Sequence, residues 1–334
     1  MARAELGPGD RLVIKIGTAS LLAEDGQPDE GLMGSMASQI ARLRRRGIDV
    51  VLVTSGAIAA GLQPLNLERR PTDIPSLQAA AAAGQGVLLA LWSASLSGVG
   101  LVGAQMLLTR YDFMHRQQYL NARNTLERLL ELGAVPVVNE NDTVAVDEIR
   151  FGDNDRLAAL VANLARARLL LLLTDAAGLL ASDPRVEPGA PLVDEVERIT
   201  PELERAAGGR GSVMASGGMA SKLAAAWVAT FSGAGVIIAD ASTPEVVERA
   251  ARGGGGGTYF HPRPHAVSAR RLWIAFAQPP RGSVVVDDGA RAAVVNRRAS
   301  LLAVGVVDVN GRFEAGDTVD VADRTGTVFA RGLV

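Results

Sequence analysis

The 334-residue chain contains no cysteine, which excludes disulfides, thiol nucleophiles and cysteine-held metals together. Histidine occurs three times, at His115, His261 and His265, too few and too scattered for a histidine metal cage. Aromatic residues make up 4%, so no cofactor site built on aromatic stacking is expected. An excess of one charge is also missing: 34 basic residues face 36 acidic ones, a net charge of −2, and bulk charge points neither to nucleic acid nor to a membrane. The N-terminal segment lacks an apolar core, so no secretory signal is read and the expected compartment is the cytoplasm.

The most telling shortage is lysine. Of the 34 basic residues only Lys15 and Lys222 are lysines; the rest are arginine. Two positions have kept a compact, flexible ammonium where a planar guanidinium would otherwise stand, which marks them as places with little room.

What is present is a globular composition, 48% hydrophobic and 21% charged, in a chain long enough for two domains. Residues 76–109 carry no formal charge. Gln78, Gln85, Gln105 and the Ser97-Gly98-Val99-Gly100 break make this stretch read as a tightly packed internal helix and a buried strand rather than a membrane span.

Short apolar runs alternate with helical spacing. Strands are predicted at Arg11–Ile16, Asp49–Val53, Leu101–Leu108, Ala134–Val138 and Leu169–Leu173. Helices are predicted at Gly31–Arg46, Tyr119–Leu132, Asp153–Ala167 and Leu223–Thr230. The pattern implies an α/β fold, a mainly parallel sheet covered by helices. Five consecutive glycines, Gly253 to Gly257, break the composition, and a domain boundary is read near residue 263. From 273 to 334 short strands are separated by turns at Asp288-Gly289, Asn310-Gly311 and Ala315-Gly316, a small all-β module.

In open parallel sheets ligands bind beyond the carboxyl ends of the strands. Those ends here carry Gly17-Thr18, Thr54-Ser55-Gly56, Asn139 to Asp142, and Thr174-Asp175. Lys15 closes the first strand. Lys222 follows Gly217-Gly218-Met219-Ala220-Ser221 into a helix, where exposed backbone N–H groups favour phosphate. No Walker A loop and no GxGxxG fingerprint occurs. Asp153, Asn154 and Asp155 open another helix; one of them serves as its cap, and three polar groups exceed what a cap requires. Ser55 has no triad spacing to a histidine, so it reads as a hydrogen-bond donor and not as a nucleophile. A site with no general base and two lysines suits phosphoryl transfer to a carboxylate, which is already ionised at pH 7.

Five runs, Lys15-Ile16-Gly17-Thr18, Val53 to Gly61, Val138 to Asp142, Phe151 to Asp155 and Leu173-Thr174-Asp175, occur in order. With Ser216-Gly217-Gly218-Met219-Ala220-Ser221-Lys222 they closely resemble the glutamate 5-kinases of the amino-acid kinase family, across residues 8 to 334. The resemblance implies an amino-acid kinase domain over 1–263 and a PUA-like β domain over 273–334, incomplete at its C-terminus.

It further implies ATP- and Mg²⁺-dependent phosphorylation of the γ-carboxylate of L-glutamate, with no metal ligand assigned to the protein. Lys15, Lys222 and Asp155 take the catalytic positions; Ser55, Asp142, Asn154 and Asp153 take the glutamate positions. Lys15, Thr174, Asp175 and residues 216–222 take the nucleotide positions. Proline as feedback inhibitor, a homo-oligomer and hand-over to glutamyl-phosphate reductase follow from the same resemblance. RNA binding by the lysine-free tail is not inferred. Two other readings stay open at this level: a kinase for aspartate or N-acetylglutamate, and a catalytically weak regulatory or RNA-binding protein using the tail.

Overall fold

The computed structural model describes residues 3–23, 26–144, 154–182, 187, 189–200, 203, 218–263, 280–297, 299–315 and 317–334. The chain forms two compact units, Met1–Ala269 and Arg270–Val334.

The first unit alternates strand and helix: β1 (Arg11–Ile16), α1 (Thr18–Leu21), α2 (Glu30–Arg45), β2 (Asp49–Val53), α3 (Ala57–Leu62), α4 (Ile74–Ser97), β3 (Gly103–Leu108), α5 (Arg110–Met114), α6 (Arg116–Glu131), β4 (Val135–Glu140), α7 (Asn154–Leu164), β5 (Leu169–Thr174), β6 (Glu195–Val196), α8 (Met219–Phe231), β7 (Gly235–Asp240), α9 (Val246–Ala251) and β8 (Thr258–Phe260). The strands order as β3-β4-β2-β1-β5-β7-β8-β6 in one sheet. Every pairing is parallel except β7 with β8. A strand covered on both faces must be apolar throughout, and β5 meets this with five successive buried leucines, Leu169 to Leu173. The register sets Lys15 beside Val53 of β2 and Leu172 of β5, so three strands end at one level.

The covering helices follow from their caps and faces. Asp29 accepts from Leu32 N at 2.9 Å to cap α2, whose Met33, Met36, Ile40 and Leu43 face the core. Asp73 accepts from Ser76 N at 2.9 Å to cap α4. By length and composition α4 is apolar enough to cross a membrane. It buries one face (Leu77, Ala80, Ala81, Gly84, Leu88, Trp92, Leu96) and leaves Ala79, Ala82, Gly86, Ala90 and Ala94 exposed, with Val87 the one large apolar side chain among them. The expected tight burial is therefore half right: alanine exposes too little apolar surface to require covering. The strand after it, β3, lies at the sheet edge with Gln105 and Leu107 exposed. Helices α3 and α4 touch through their backbones. A Cβ on Gly61 would stand 1.8 Å from Ala80 O, and one on Gly84 would stand 1.9 Å from Ala57 O.

One helix boundary is corrected. Helix α8 begins at Met219, not Leu223, because Gly218 already serves as its cap residue. The glycine run lies inside the first unit, as the turn from α9 into β8.

The second unit holds β9 (Gly282–Val286), α10 (Asp288–Arg297), β10 (Val306–Gly311), β11 (Thr318–Ala322) and β12 (Val328–Leu333), in sheet order β10-β9-β11-β12. Its small core is Val284, Val286, Val319 and Val321. Asp288-Gly289, read above as a turn, opens α10 instead: the following Ala-Arg-Ala-Ala run has strong helix propensity.

Candidate active site

The site gathers at the carboxyl ends of β1, β2, β4 and β5. On its first side, Asp155 in the opening turn of α7 receives both lysines. Lys15 Nζ lies 2.6 Å from Asp155 Oδ1 and Lys222 Nζ 3.2 Å from Oδ2. The side chain of Asp155 is 1% exposed and those of the lysines 6%. Ser221 adds a hydroxyl 3.0 Å from Asp155 Oδ2 and 2.9 Å from Gly218 O, able to donate to one of them at a time. Burial pushes the Asp155 carboxyl up, and the two ammoniums override it, so the net shift is downward and the group is ionised.

Each member has a local reason for its place. Lys15 is the penultimate residue of a buried strand, where its stem packs and only its end reaches the exit. Lys222 is the fourth residue of α8, inside the first turn rather than ahead of it. Gly17, just past β1, donates to Leu173 O at 3.2 Å and ties the β1 exit to β5. A Cβ there would lie 3.6 Å from Lys15 Nζ.

The second side is uncharged at its centre. Asn154 donates through Nδ2 to Thr54 O at 2.6 Å and to Asn139 Oδ1 at 2.7 Å. Asn139 donates through Nδ2 to Gln85 Oε1 at 2.7 Å. Trp92, fully buried, donates to Thr54 Oγ1 at 3.0 Å. Ser55 donates its hydroxyl to Ile16 O at 2.8 Å, joining the β2 exit to the β1 exit. This turn needs Gly56 in the left-handed region, at φ 97°. Asp142 follows β4; burial raises its carboxyl to about 6, against the opposing influence of Arg70.

Of the residues singled out from sequence, Lys15, Lys222 and Asp155 are in direct contact, joined by Ser221. Ser55 lies on the β2 exit, Asn154 opens α7 beside it, and Asp142 lies beyond β4. Thr174 ends β5 and donates to the exposed Asp175 at 3.0 Å; Met219 and Ala220 form the start of α8 after Gly218. Asp153, Ser216 and Gly217 lie outside the described residues. Sequence reading missed the roles of Gln85 and Trp92. Their signal was faint: a glutamine and a tryptophan seven residues apart on an otherwise uncharged helix, hence on one face.

Comparison with known proteins gives the chain its family. The amino acid kinase family model matches residues 10–240, and the PUA domain model matches residues 282–334. The chain is similar to a protein named glutamate 5-kinase from Geobacter sp. (strain M21), 47% identical over 97% of this chain and 87% of the relative. It is likewise similar to those of Syntrophotalea carbinolica, 46% identical over 97% and 86%, and Gloeobacter violaceus, 48% identical over 97% and 88%. Sheet order, strand-exit chemistry and these likenesses converge, and the chain belongs to the amino acid kinase family, among its glutamate 5-kinases.

Proposed function

We propose that the chain transfers the γ-phosphoryl group of ATP to the γ-carboxylate of L-glutamate, forming L-glutamyl 5-phosphate, the first step of proline biosynthesis. The observation that carries this reading is the buried Lys15–Asp155–Lys222 cluster beside a neutral amide site. A glutamate carboxylate oxygen attacks the γ-phosphorus, the bond to the β,γ-bridging oxygen breaks, and ADP leaves with the electron pair. No proton has to move, which suits strand exits that hold no histidine.

Asp155 holds two ammoniums a fixed distance apart, leaving one net positive charge and several N–H donors for the phosphoryl oxygens. Because the donors are already ordered, little reorganisation remains when charge develops on the transferring group. Thr174, Asp175 and residues 216–222 serve the nucleotide in this reading. Among the described residues no three acidic, histidine or cysteine side chains converge on a metal site. In this reading Mg²⁺ would enter with the nucleotide phosphates and would neutralise their charge.

Asn154 and Ser55 contact glutamate, and Asp142 is the counter-ion of its free α-ammonium, which favours glutamate over an N-acetylated substrate. Asp153 belongs to the same proposed set. Proline, carrying the same α-carboxylate and amine, competes there as feedback inhibitor. The acyl phosphate is labile, so a homo-oligomeric enzyme in the cytoplasm passing it to glutamyl-phosphate reductase completes the proposal. The test is ATP- and Mg²⁺-dependent hydroxamate formation with L-glutamate and hydroxylamine, expected to appear and to fall when proline is added. No hydroxamate from the folded chain refutes the kinase reading; hydroxamate indifferent to proline refutes the regulation alone.

A further inference from the structure

The amide chain of the second side has a direction. Thr54 O is a backbone carbonyl and can only accept, so the Asn154 atom 2.6 Å away must be Nδ2. Its other hydrogen goes to Asn139 at 2.7 Å, which must therefore present Oδ1. Asn139 in turn points Nδ2 outward, and Gln85 meets it with Oε1 at 2.7 Å. Donor and acceptor alternate along the whole row, from the β2 carbonyl to the side chain of a helix. With both amide hydrogens engaged, Asn154 has only Oδ1 left to offer a ligand. An oxygen acceptor welcomes an ammonium and repels a carboxylate.

We propose that Gln85 of α4 is a positioning residue for substrate recognition: by accepting from Asn139 it keeps Asn154 presenting an oxygen to the α-ammonium of the amino acid. The inference rests on the reading of Asn154 as a glutamate contact. Two further features connect α4 to the same row. Gly84, next to Gln85, is where α4 meets the backbone of α3, and this close crossing brings the glutamine to the strand exits. Trp92, two turns further along the same face, holds the hydroxyl of Thr54, the residue whose carbonyl begins the row. Without an acceptor at position 85, Asn139 is free to rotate its amide. A rotated Asn139 sets nitrogen against nitrogen and displaces Asn154.

The experiment compares Gln85→Glu, Gln85→Met and Gln85→Lys in the full chain, with KM for glutamate and for ATP measured alongside melting temperature. Glutamate at 85 keeps an acceptor, methionine keeps the shape without one, and lysine offers only donors. The expected result is a rise of about tenfold in KM for glutamate with methionine and more with lysine, the scale of one buried donor left unpaired. Gln85→Glu is expected to stay within about threefold of the parent, and KM for ATP to hold in all three, since the row touches neither lysine. Equal impairment by glutamate and lysine, an unchanged KM with methionine, or an ATP KM that moves in step overturns the inference. If the lysine variant does not fold, the contrast of methionine with glutamate decides alone. A parent chain that is inactive on glutamate overturns the functional reading as well; an active parent with indifferent variants overturns only the role of Gln85.

Discussion

The two sides of the site solve opposite problems. Around β1 and β5, three full charges, two positive and one negative, are withdrawn from water and held against one another. Around β2 and β4, neutral amides are chained donor to acceptor, and the carboxylate of Asp142 stands half-buried with a raised pKa. In the proposed reaction, charge is concentrated where the phosphoryl group would pass, and orientation is fixed by dipoles where the amino acid would be told from its analogues. A buried charge is powerful but indiscriminate; an oriented amide is weak but directional. Such a difference predicts that changes on the first side damage stability and turnover, and changes on the second damage recognition.

The largest effect should come from the centre of the first side. Asp155→Ala leaves two ammoniums buried and facing each other, and a loss of about 3–5 kcal/mol in folding stability is expected, read by denaturant unfolding. Retained stability would mean that the lysines find other partners and that the cluster is not a unit.

Next comes Lys15→Arg, which preserves charge and changes only shape. A fall in kcat equivalent to about 2.7–4 kcal/mol is expected, with a smaller effect on KM for glutamate. Parent-like turnover would show that the first side reads charge alone.

The smallest effect is also the most diagnostic of the contrast. The Asp142 carboxyl is raised above its ordinary value, to about 6. The folded state therefore holds this proton more tightly than the unfolded one, and ionising it costs stability above pH 6. Asp142→Asn should accordingly raise stability by roughly 1–2 kcal/mol at pH 8 and bring no gain at pH 4. It should also raise KM for glutamate at pH 8, while the parent shows the same rise as pH falls through about 6. A variant that is destabilised at pH 8 would remove Asp142 from the recognition side.

Much of this is legible in the sequence. β1 and β2 coincide with the predicted strands, since a doubly covered parallel strand has to be an unbroken apolar run. The two lysines stood out because arginine replaces lysine elsewhere, and the structure brings them onto one carboxylate. What stayed hidden has a common cause. Gln85 and Trp92 act through partners on β2 and β4, and nothing local marks a side chain whose purpose lies 54 or 38 residues away. The exposed alanine face of α4 was illegible because lack of charge is not the same as burial. Helix α10 was hidden by an Asp-Gly pair that is equally at home in a hairpin turn and at a helix start.

The contact of α3 and α4 through Gly61 and Gly84 reaches into genetics. Most packing defects can be absorbed by neighbouring rotamers, but here each added methyl would meet a peptide oxygen nearer than 2 Å, with no side chain between them to yield. Glycine and alanine codons differ by one base, so each of these two positions is a single transversion from a broken α3–α4 contact. Suppressors cannot come from refilling a cavity, since there is none; they would have to move a whole helix. Spontaneous proline auxotrophs whose lesion lies in this coding sequence should therefore include alanine at 61 or 84, and revertants of them should restore glycine itself.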